Sequence, residues 1–435
     1  MYLARCAERM QRKGPHAALL ALAIGILAAA LLGEVALRIN HALSKEPIGA
    51  TEEERCVRSL YLTLENQSDP VRLSPLHTDY LRYDPLTGLR PKEGTHLGRI
   101  SASNLPDGTP VTLALHDVII NNISTKNAHD VSAERTTKNR IAVIGDSFTW
   151  GSDVMHAYSY PSFLRVIVPD SEVLNYGIQG VGIDVMYLRW KHEALTVHPD
   201  AVIFTVLYDD IRRAQPCAYK PRLSVKDGAI VVTNQPPPTM EEFAKQRPPL
   251  VESVLLKDLA HWWRYRRGVR ATQYEEQFPL FSAMLDEMSA TSLARNQTFI
   301  VLFIDRENSR PLAAEDNDAV NRSVALLERK HIAFVTASAI FAAERHTPPN
   351  FSPPVDHFLP DTNAYLAQGI AGLLRQRGFT VAPAYDVTYD TARKVMVLSE
   401  RAHPERRMVV TPYDVYVNGT LANNRFFAEP IAPRD

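Results

Sequence analysis

The chain is 435 residues long, 45% hydrophobic and 22% charged, with a formal net charge of −1 at pH 7. That composition is ordinary for a globular protein, with room for one large α/β domain plus accessory segments or for two modest domains. A near-neutral balance gives no bulk electrostatic case for nucleic acid or strongly acidic partners.

The N-terminal residues 1–16 carry Arg5, Arg9, Arg12 and Lys13. An uncharged run follows from Ala17 to Gly33, and apolar character resumes after Glu34 through Leu37. About 21 residues, or roughly 32 Å of helix, suffice to cross a bilayer core. The positive-inside rule keeps the basic end cytoplasmic and exports everything after Arg38. A cleaved signal peptide is the rival, because Ala28 and Ala30 give an A-x-A pattern. The length of the run favours a retained signal-anchor over 17–37. Either way the body lies outside the cytoplasm, in the periplasm if the cell is bacterial. Cys56 and Cys217 are then both exported, where a disulfide forms readily; two buried thiols fit the sequence equally.

Residues 38–135 read as a stalk followed by a small β-rich preamble, with short apolar runs at Val111–Leu115 and Val118–Ile120. Then the texture changes. Apolar runs recur at Ile141–Ile144, Glu172–Leu174, Ala201–Val206, Thr298–Ile304 and Ala333–Thr336. Helical spacing occupies Tyr160–Val168, Val185–Leu195, Phe278–Ala294, Ala319–Arg329 and Asn363–Arg377. Nearly continuous apolar strands alternating with helices indicate a parallel sheet covered on both faces, over a domain at 136–378.

An insertion at about 212–273 breaks the rhythm. Arg222–Thr233 reads as a hairpin turning at Asp227-Gly228, and Thr239–Arg270 as helical. The cluster Trp262, Trp263, Arg264, Tyr265, Arg266, Arg267 and Arg270 fits a lid packed on the sheet domain. It also fits a surface for anionic polysaccharide or phospholipid headgroups. Residues 379–435 read as a β appendage, with runs at Val395–Leu398, Met408–Thr411 and Val415–Val417.

Four blocks carry chemistry. The first strand runs into Gly145-Asp146-Ser147, a serine in a glycine-flanked turn where open α/β sheets place ligands. The second leads to Asn175-Tyr176-Gly177-Ile178-Gln179-Gly180, the third to Leu207-Tyr208-Asp209-Asp210. Before the last helix comes Pro353-Pro354-Val355-Asp356-His357-Phe358. A histidine titrates near neutrality and suits a general base.

In content and order these blocks resemble the SGNH/GDSL hydrolase superfamily, from about Ile141 to Leu374 with the insertion interrupting. The resemblance implies a flavodoxin-like three-layer α/β/α sandwich with a five-stranded parallel sheet ordered 2-1-3-4-5. The N-terminal transmembrane helix and small β-rich appendages add to it. It implies Ser147 as nucleophile, His357 as general base, and an oxyanion hole from Ser147, Gly180 and Asp209, with no cofactor and no metal. Asp209 stands where the family has an asparagine, so it would donate only if burial beside Asp210 kept it protonated. Pro354 stands where the family has an aspartate, which leaves either the adjacent Asp356 to orient His357 through a tight turn, or a Ser–His dyad whose imidazole is held by a backbone carbonyl.

The implied activity is a serine esterase acting outside the cytoplasm. Its expected substrate is an O-acyl (acetyl) ester of a cell-envelope or exported polysaccharide. Acylated carbohydrate, the inner membrane through the N-terminal helix, and polysaccharide-assembly proteins are the expected partners. The alternative is a catalytically degenerate SGNH domain that binds carbohydrate and assists an acylation or export complex.

Overall fold

The computed structural model describes residues 15–43, 80–100, 114–132, 134–152, 154–217, 220–239, 269–306, 311–344, 357–390 and 395–410. Shorter described pieces lie at 242, 255–256, 351–352, 415–417 and 420–421. The chain divides into two compact units, residues 1–61 with 240–269, and residues 62–239 with 270–435.

In the first unit, helix α1 (Pro15–Leu43) contains the apolar stretch Leu19–Leu37, none of which is buried against protein. It is long and apolar enough to cross a membrane. Residues 240–269 group with this unit, and within it Leu255 N–H donates to Glu34 Oε2 at 2.8 Å. Residues Trp262 to Arg267 lie outside the described residues, as does the stalk at 44–79.

The second unit is built on a parallel sheet of β5 (Asn139–Ile144), β6 (Ser171–Asn175), β7 (Ala201–Leu207), β10 (Thr298–Ile304) and β11 (Phe334–Thr336). Its order is β6-β5-β7-β10-β11, so these strands fall in the 2-1-3-4-5 arrangement. Every residue of β6 and β7 is buried, and β7 accordingly reads as a nearly continuous apolar run and not as alternation.

The helices form two groups. α3 (Tyr160–Ile167), α8 (Ala337–Ala343) and α9 (Pro360–Gln376) pack together. α4 (Ile183–His192), α5 (Tyr208–Arg213) and α7 (Ala314–Arg329) form the other group. Helix α6 (Val269–Ala294) joins that second group through Tyr274–Asp316 and Lys191–Glu287 contacts. With a helix group on each face, the fold is the flavodoxin-like α/β/α sandwich. Helix α6 begins well before its expected start at Phe278, because its first turns bury Gln273, Tyr274 and Gln277, residues that give no apolar period.

The preamble supplies two antiparallel pairs, β1 (Leu81–Asp84) with β2 (Gly88–Pro91) and β3 (Gly94–Ile100) with β4 (Ala114–Ile120). The hairpin of β8 (Arg222–Lys226) and β9 (Ala229–Thr233) turns at Asp227 and Gly228, whose φ values of 52° and 79° suit a tight two-residue turn. After it, Tyr83 Oη donates to the Pro237 carbonyl at 2.7 Å and Gln235 Nε2 to the Leu86 carbonyl at 3.0 Å, tying the segment to the preamble. The C-terminal strands β14 (Tyr385–Asp390), β15 (Val395–Glu400), β16 (Arg407–Val410), β17 (Val415–Val417) and β18 (Thr420–Leu421) form an antiparallel meander. Cys217 is fully buried and disulfide-bonded. The other two cysteines, Cys6 and Cys56, lie outside the described residues.

One buried ion pair fixes the crevice end of this body. Lys220 Nζ lies 2.6 Å from Asp184 Oδ2 on α4 and donates at 2.9 Å to the Arg213 carbonyl that ends α5. Removing one partner leaves a buried charge uncompensated. Lys220→Met is expected to lower the unfolding free energy by about 3 kcal/mol, read from denaturant midpoints at constant m.

Candidate active site

Strand β5 hands the chain directly to the nucleophile turn. Asp146 caps helix α2 (Ser147–Trp150), its Oδ1 accepting from Phe148 N–H at 2.9 Å. Gly151 closes that helix in the left-handed region at φ 73°, its N–H reaching the Ser147 carbonyl. A side chain at Gly145 would place its Cβ 2.1 Å from Thr149 Oγ1, so only glycine lets the turn fold back so tightly. Beneath it, Thr149 Oγ1, Tyr160 Oη and Thr205 Oγ1 form a buried hydroxyl chain at 2.8 and 2.6 Å.

His357 comes from the far end of the sequence. It opens β13 (His357–Phe358), which pairs with β12 (Phe351–Ser352), opposite Ser352. Phe148 packs against both the His357 ring and Phe358, with centroids 5.0 and 4.8 Å apart. Asn363 Nδ2 donates to the Phe358 and Leu359 carbonyls at 2.9 and 3.1 Å, tying the strand to the start of α9. The result is a contact of 2.9 Å between His357 Nε2 and Ser147 Oγ, across 210 residues of chain.

The glycine loop lies directly on the nucleophile turn. Asn175 is its anchor: Nδ2 donates to the Thr149 carbonyl at 2.8 Å, while Oδ1 accepts from Gly177 N–H at 2.9 Å. A Cβ on Gly177 would sit 2.3 Å from Trp150 N, so that glycine is demanded by backbone-on-backbone packing. Its N–H is already engaged. Gly180, by contrast, is exposed at φ 72° with open space around it, as a backbone donor to a ligand requires.

The structure corrects the expectation for the Asp209 side chain. Asp209 Oδ1 lies 2.7 Å from Arg212 Nη2, and Oδ2 lies 2.9 Å from Arg213 Nε. A carboxylate gripped by two guanidinium groups is an acceptor; it does not serve as the protonated donor that an oxyanion would need. The arginines sit three and four residues on, in register on the same face of α5. Burial pulls the Arg212 proton affinity down, but the Asp209 charge and hydrogen bond outweigh it, and the group ends above its usual value.

The acid that holds its proton more tightly is the neighbour, Asp210. Burial, and then the Asp146 carboxylate, push it well above the usual carboxylate range, against the pull of Arg213. Asp210 also accepts from Leu207 N–H at 2.9 Å and from Arg213 Nη1 at 3.0 Å. Arg213 Nη1 reaches Asp146 Oδ2 at 3.4 Å, and that same oxygen lies 3.3 Å from Ser147 Oγ. Arg213 therefore shares the Asp146 carboxylate with the Ser147 hydroxyl.

Of the sequence-derived residues, Ser147 and His357 are brought together, Gly180 lies on the loop packed against their turn, and Asp209 is turned to its own helix. Asp356 and Pro354 lie outside the described residues. Sequence reasoning missed Asn175 and Arg213 as supports. Both had a readable signal: an asparagine at a strand end before a glycine loop, and an arginine four residues after an aspartate. Among the described residues there is no cluster of histidine, cysteine and acidic side chains fit to hold a metal.

No family model and no curated protein matches the chain. Solved structures to which the chain is similar include a putative lipolytic protein of the G-D-S-L family from Desulfitobacterium hafniense. It has 13% identity and a TM-score of 0.33, with 53% of this chain and 99% of that chain covered. Another is an acetylxylan esterase from Geobacillus stearothermophilus, at 16% identity and a TM-score of 0.33, covering 57% of this chain and 98% of that one. A lipase/acylhydrolase from Enterococcus faecalis stands at 12% identity and a TM-score of 0.34, covering 57% and 100%.

Asp209→Asn separates the two accounts of that residue. A missing oxyanion amide would be restored by it and turnover would rise. The ion-pair geometry predicts instead that turnover stays level or falls. The unfolding free energy is expected to drop by about 1–2 kcal/mol, between the values for exposed and buried pairs. Ester turnover and thermal unfolding of the same preparation check both parts.

Proposed function

We propose that this chain is a serine ester hydrolase of the SGNH type. The observation that bears most weight is the 2.9 Å approach of His357 Nε2 to Ser147 Oγ. That distance is hydrogen-bond reach for a nucleophile and its base. In this reading His357 Nε2 takes the hydroxyl proton as Ser147 Oγ attacks the ester carbonyl carbon. The carbonyl electrons move onto its oxygen. The backbone N–H groups of Ser147 and Gly180 receive that oxyanion. The Ser147 N–H lies in the first helical turn, where it has no intrahelical acceptor. Collapse of the intermediate expels the alkoxide, which takes the proton from His357. Water, activated by the same imidazole, then releases the acid.

The proposed substrate is an O-acyl (acetyl) ester on a cell-envelope or exported polysaccharide. The proposed location is outside the cytoplasm, behind the N-terminal helix as signal-anchor. Two features favour export: the helix α1 stretch Leu19–Leu37, and the disulfide at Cys217, a bond suited to an oxidising compartment. One observation favours a second reading, a catalytically degenerate domain that binds carbohydrate within an acylation or export complex. The Asp209 side chain is held by Arg212 and Arg213 and offers the oxyanion no amide. Loss of one such donor costs typically about 10²–10³ in rate.

The deciding experiment is hydrolysis of p-nitrophenyl acetate by the purified full chain beside Ser147→Ala and His357→Ala. Both variants are expected to lose about 10³-fold or more in kcat, with covalent fluorophosphonate labelling abolished in Ser147→Ala. Equal background rates in all three proteins, with no labelling of the parent, would move the assignment to the carbohydrate-binding reading.

A further inference from the structure

The nucleophile helix α2 is a single turn, and its last carbonyls have no intrahelical partner. The carbonyl of Trp150, which ends that turn, and that of Gly151 just after it are met by the preamble. Lys126 Nζ donates to the Trp150 carbonyl at 2.8 Å and approaches the Gly151 carbonyl at 3.4 Å. The same ammonium lies 4.9 Å from the Trp150 ring centroid, in cation–π range. Lys126 is only 2% exposed. A buried ammonium is costly unless its donors are engaged, and here the acceptors and the indole are all at the end of the Ser147 turn. Burial alone pulls its proton affinity down, to about 7.

A second residue of the preamble reaches the same place. The Tyr80 ring stacks on Trp150 with centroids 4.9 Å apart and an interplanar angle of 19°. Its hydroxyl donates to Gln179 Oε1, and Gln179 Nε2 donates to Ser152 Oγ at 2.5 Å. Gln179 immediately precedes Gly180, so this chain of contacts links the nucleophile turn to the glycine loop. The backbone around Lys126 is fixed independently. Lys126 N–H donates to the Asn175 carbonyl at 3.0 Å, and Asn127 bonds Asn175 N–H and the Val173 carbonyl at 3.0 and 2.8 Å. Residues 126–127 therefore ride on β6, and the lysine is delivered to Trp150 by the sheet itself.

We propose that Lys126 and Tyr80 are positioning residues for the Ser147 turn, which makes the preamble a working part of the site and not an appendage. The proposal rests on Ser147 being the nucleophile. Its effect is exerted on where Ser147 sits relative to His357 and Gly180, so it should appear in kcat more than in KM. Displacements of about 1 Å at a reacting group cost on the order of 10²-fold.

The test compares the full chain with Lys126→Met, Lys126→Arg and Tyr80→Phe. The readouts are p-nitrophenyl acetate kinetics, the rate of fluorophosphonate labelling, and amide hydrogen exchange over residues 147–152. Lys126→Met is expected to lower kcat and labelling about tenfold or more with KM within about twofold, and Lys126→Arg to recover most of that loss. Tyr80→Phe should lose about threefold in kcat. Exchange should quicken at Trp150, Gly151 and Ser152, whose N–H groups bond back to Asp146 and Ser147, and not elsewhere. Should Lys126→Met fail to fold, Tyr80→Phe decides on the same readouts. Parent-like kinetics and exchange in folded Lys126→Met, or in Tyr80→Phe where Lys126→Met does not fold, overturn the proposal. So does faster exchange spread over the whole body, which marks a purely structural role. A parent chain that neither turns over nor labels, with exchange still quickened only at 150–152 in Lys126→Met, sinks the nucleophile assignment and leaves the positioning contact standing.

Discussion

A parallel strand cannot turn back beside itself, and the rest of this site depends on that constraint. β5 lies inside the sheet between β6 and β7, so the chain must leave it at the carboxyl end and cross over before pairing again. The connections from β5 run to opposite sides in the strand order, first to β6 and then back to β7. A crevice opens where they part. Ser147 follows β5, the glycine loop follows β6, and Asp209 follows β7. Three of the four chemical blocks are at one edge of the sheet because the topology gives them nowhere else to emerge. The fourth, His357, is carried there by a two-residue strand and the packing of Phe148, Phe358 and Phe341.

The crevice end of the sheet concentrates charge. Asp146, Asp209 and Asp210 converge on Arg213, with Arg212 adding a second positive group. Low dielectric makes every unbalanced charge here expensive, so the cluster is solved as a unit: two guanidinium groups, two carboxylates, and a third acid that favours its proton. The arrangement leaves the nucleophile beside a carboxylate whose charge is already claimed. An asparagine at 209 would do less in this setting than it does in a site without the arginines, because it would release them.

The fold was legible because its signals are local. β5, β7 and β10 are largely buried apolar runs, and burial on both faces is written directly into composition. The hairpin turn was legible for the same reason: Asp227-Gly228 adopts the conformation that such a pair favours. Ser147 and His357 were legible as types in order, but not their contact, which depends on two strands 210 residues apart. For Asp209 the sequence left a condition open, and what bears on it, the pairing with Arg212 and Arg213 one turn on, lies in its neighbours on the helix. Lys126 gave no sequence signal at all. A lone lysine in a polar stretch looks solvated, and only the fold reveals that its ammonium ends under the indole of Trp150.

The separation between Ser147 and His357 has a consequence in time. A ribosome makes the serine long before the histidine, and β7, β10 and β11 must also exist before the sheet can hold the two together. Until residue 358 has emerged, the nascent chain holds Ser147 without the imidazole that contacts it, so the pair is completed only late in synthesis.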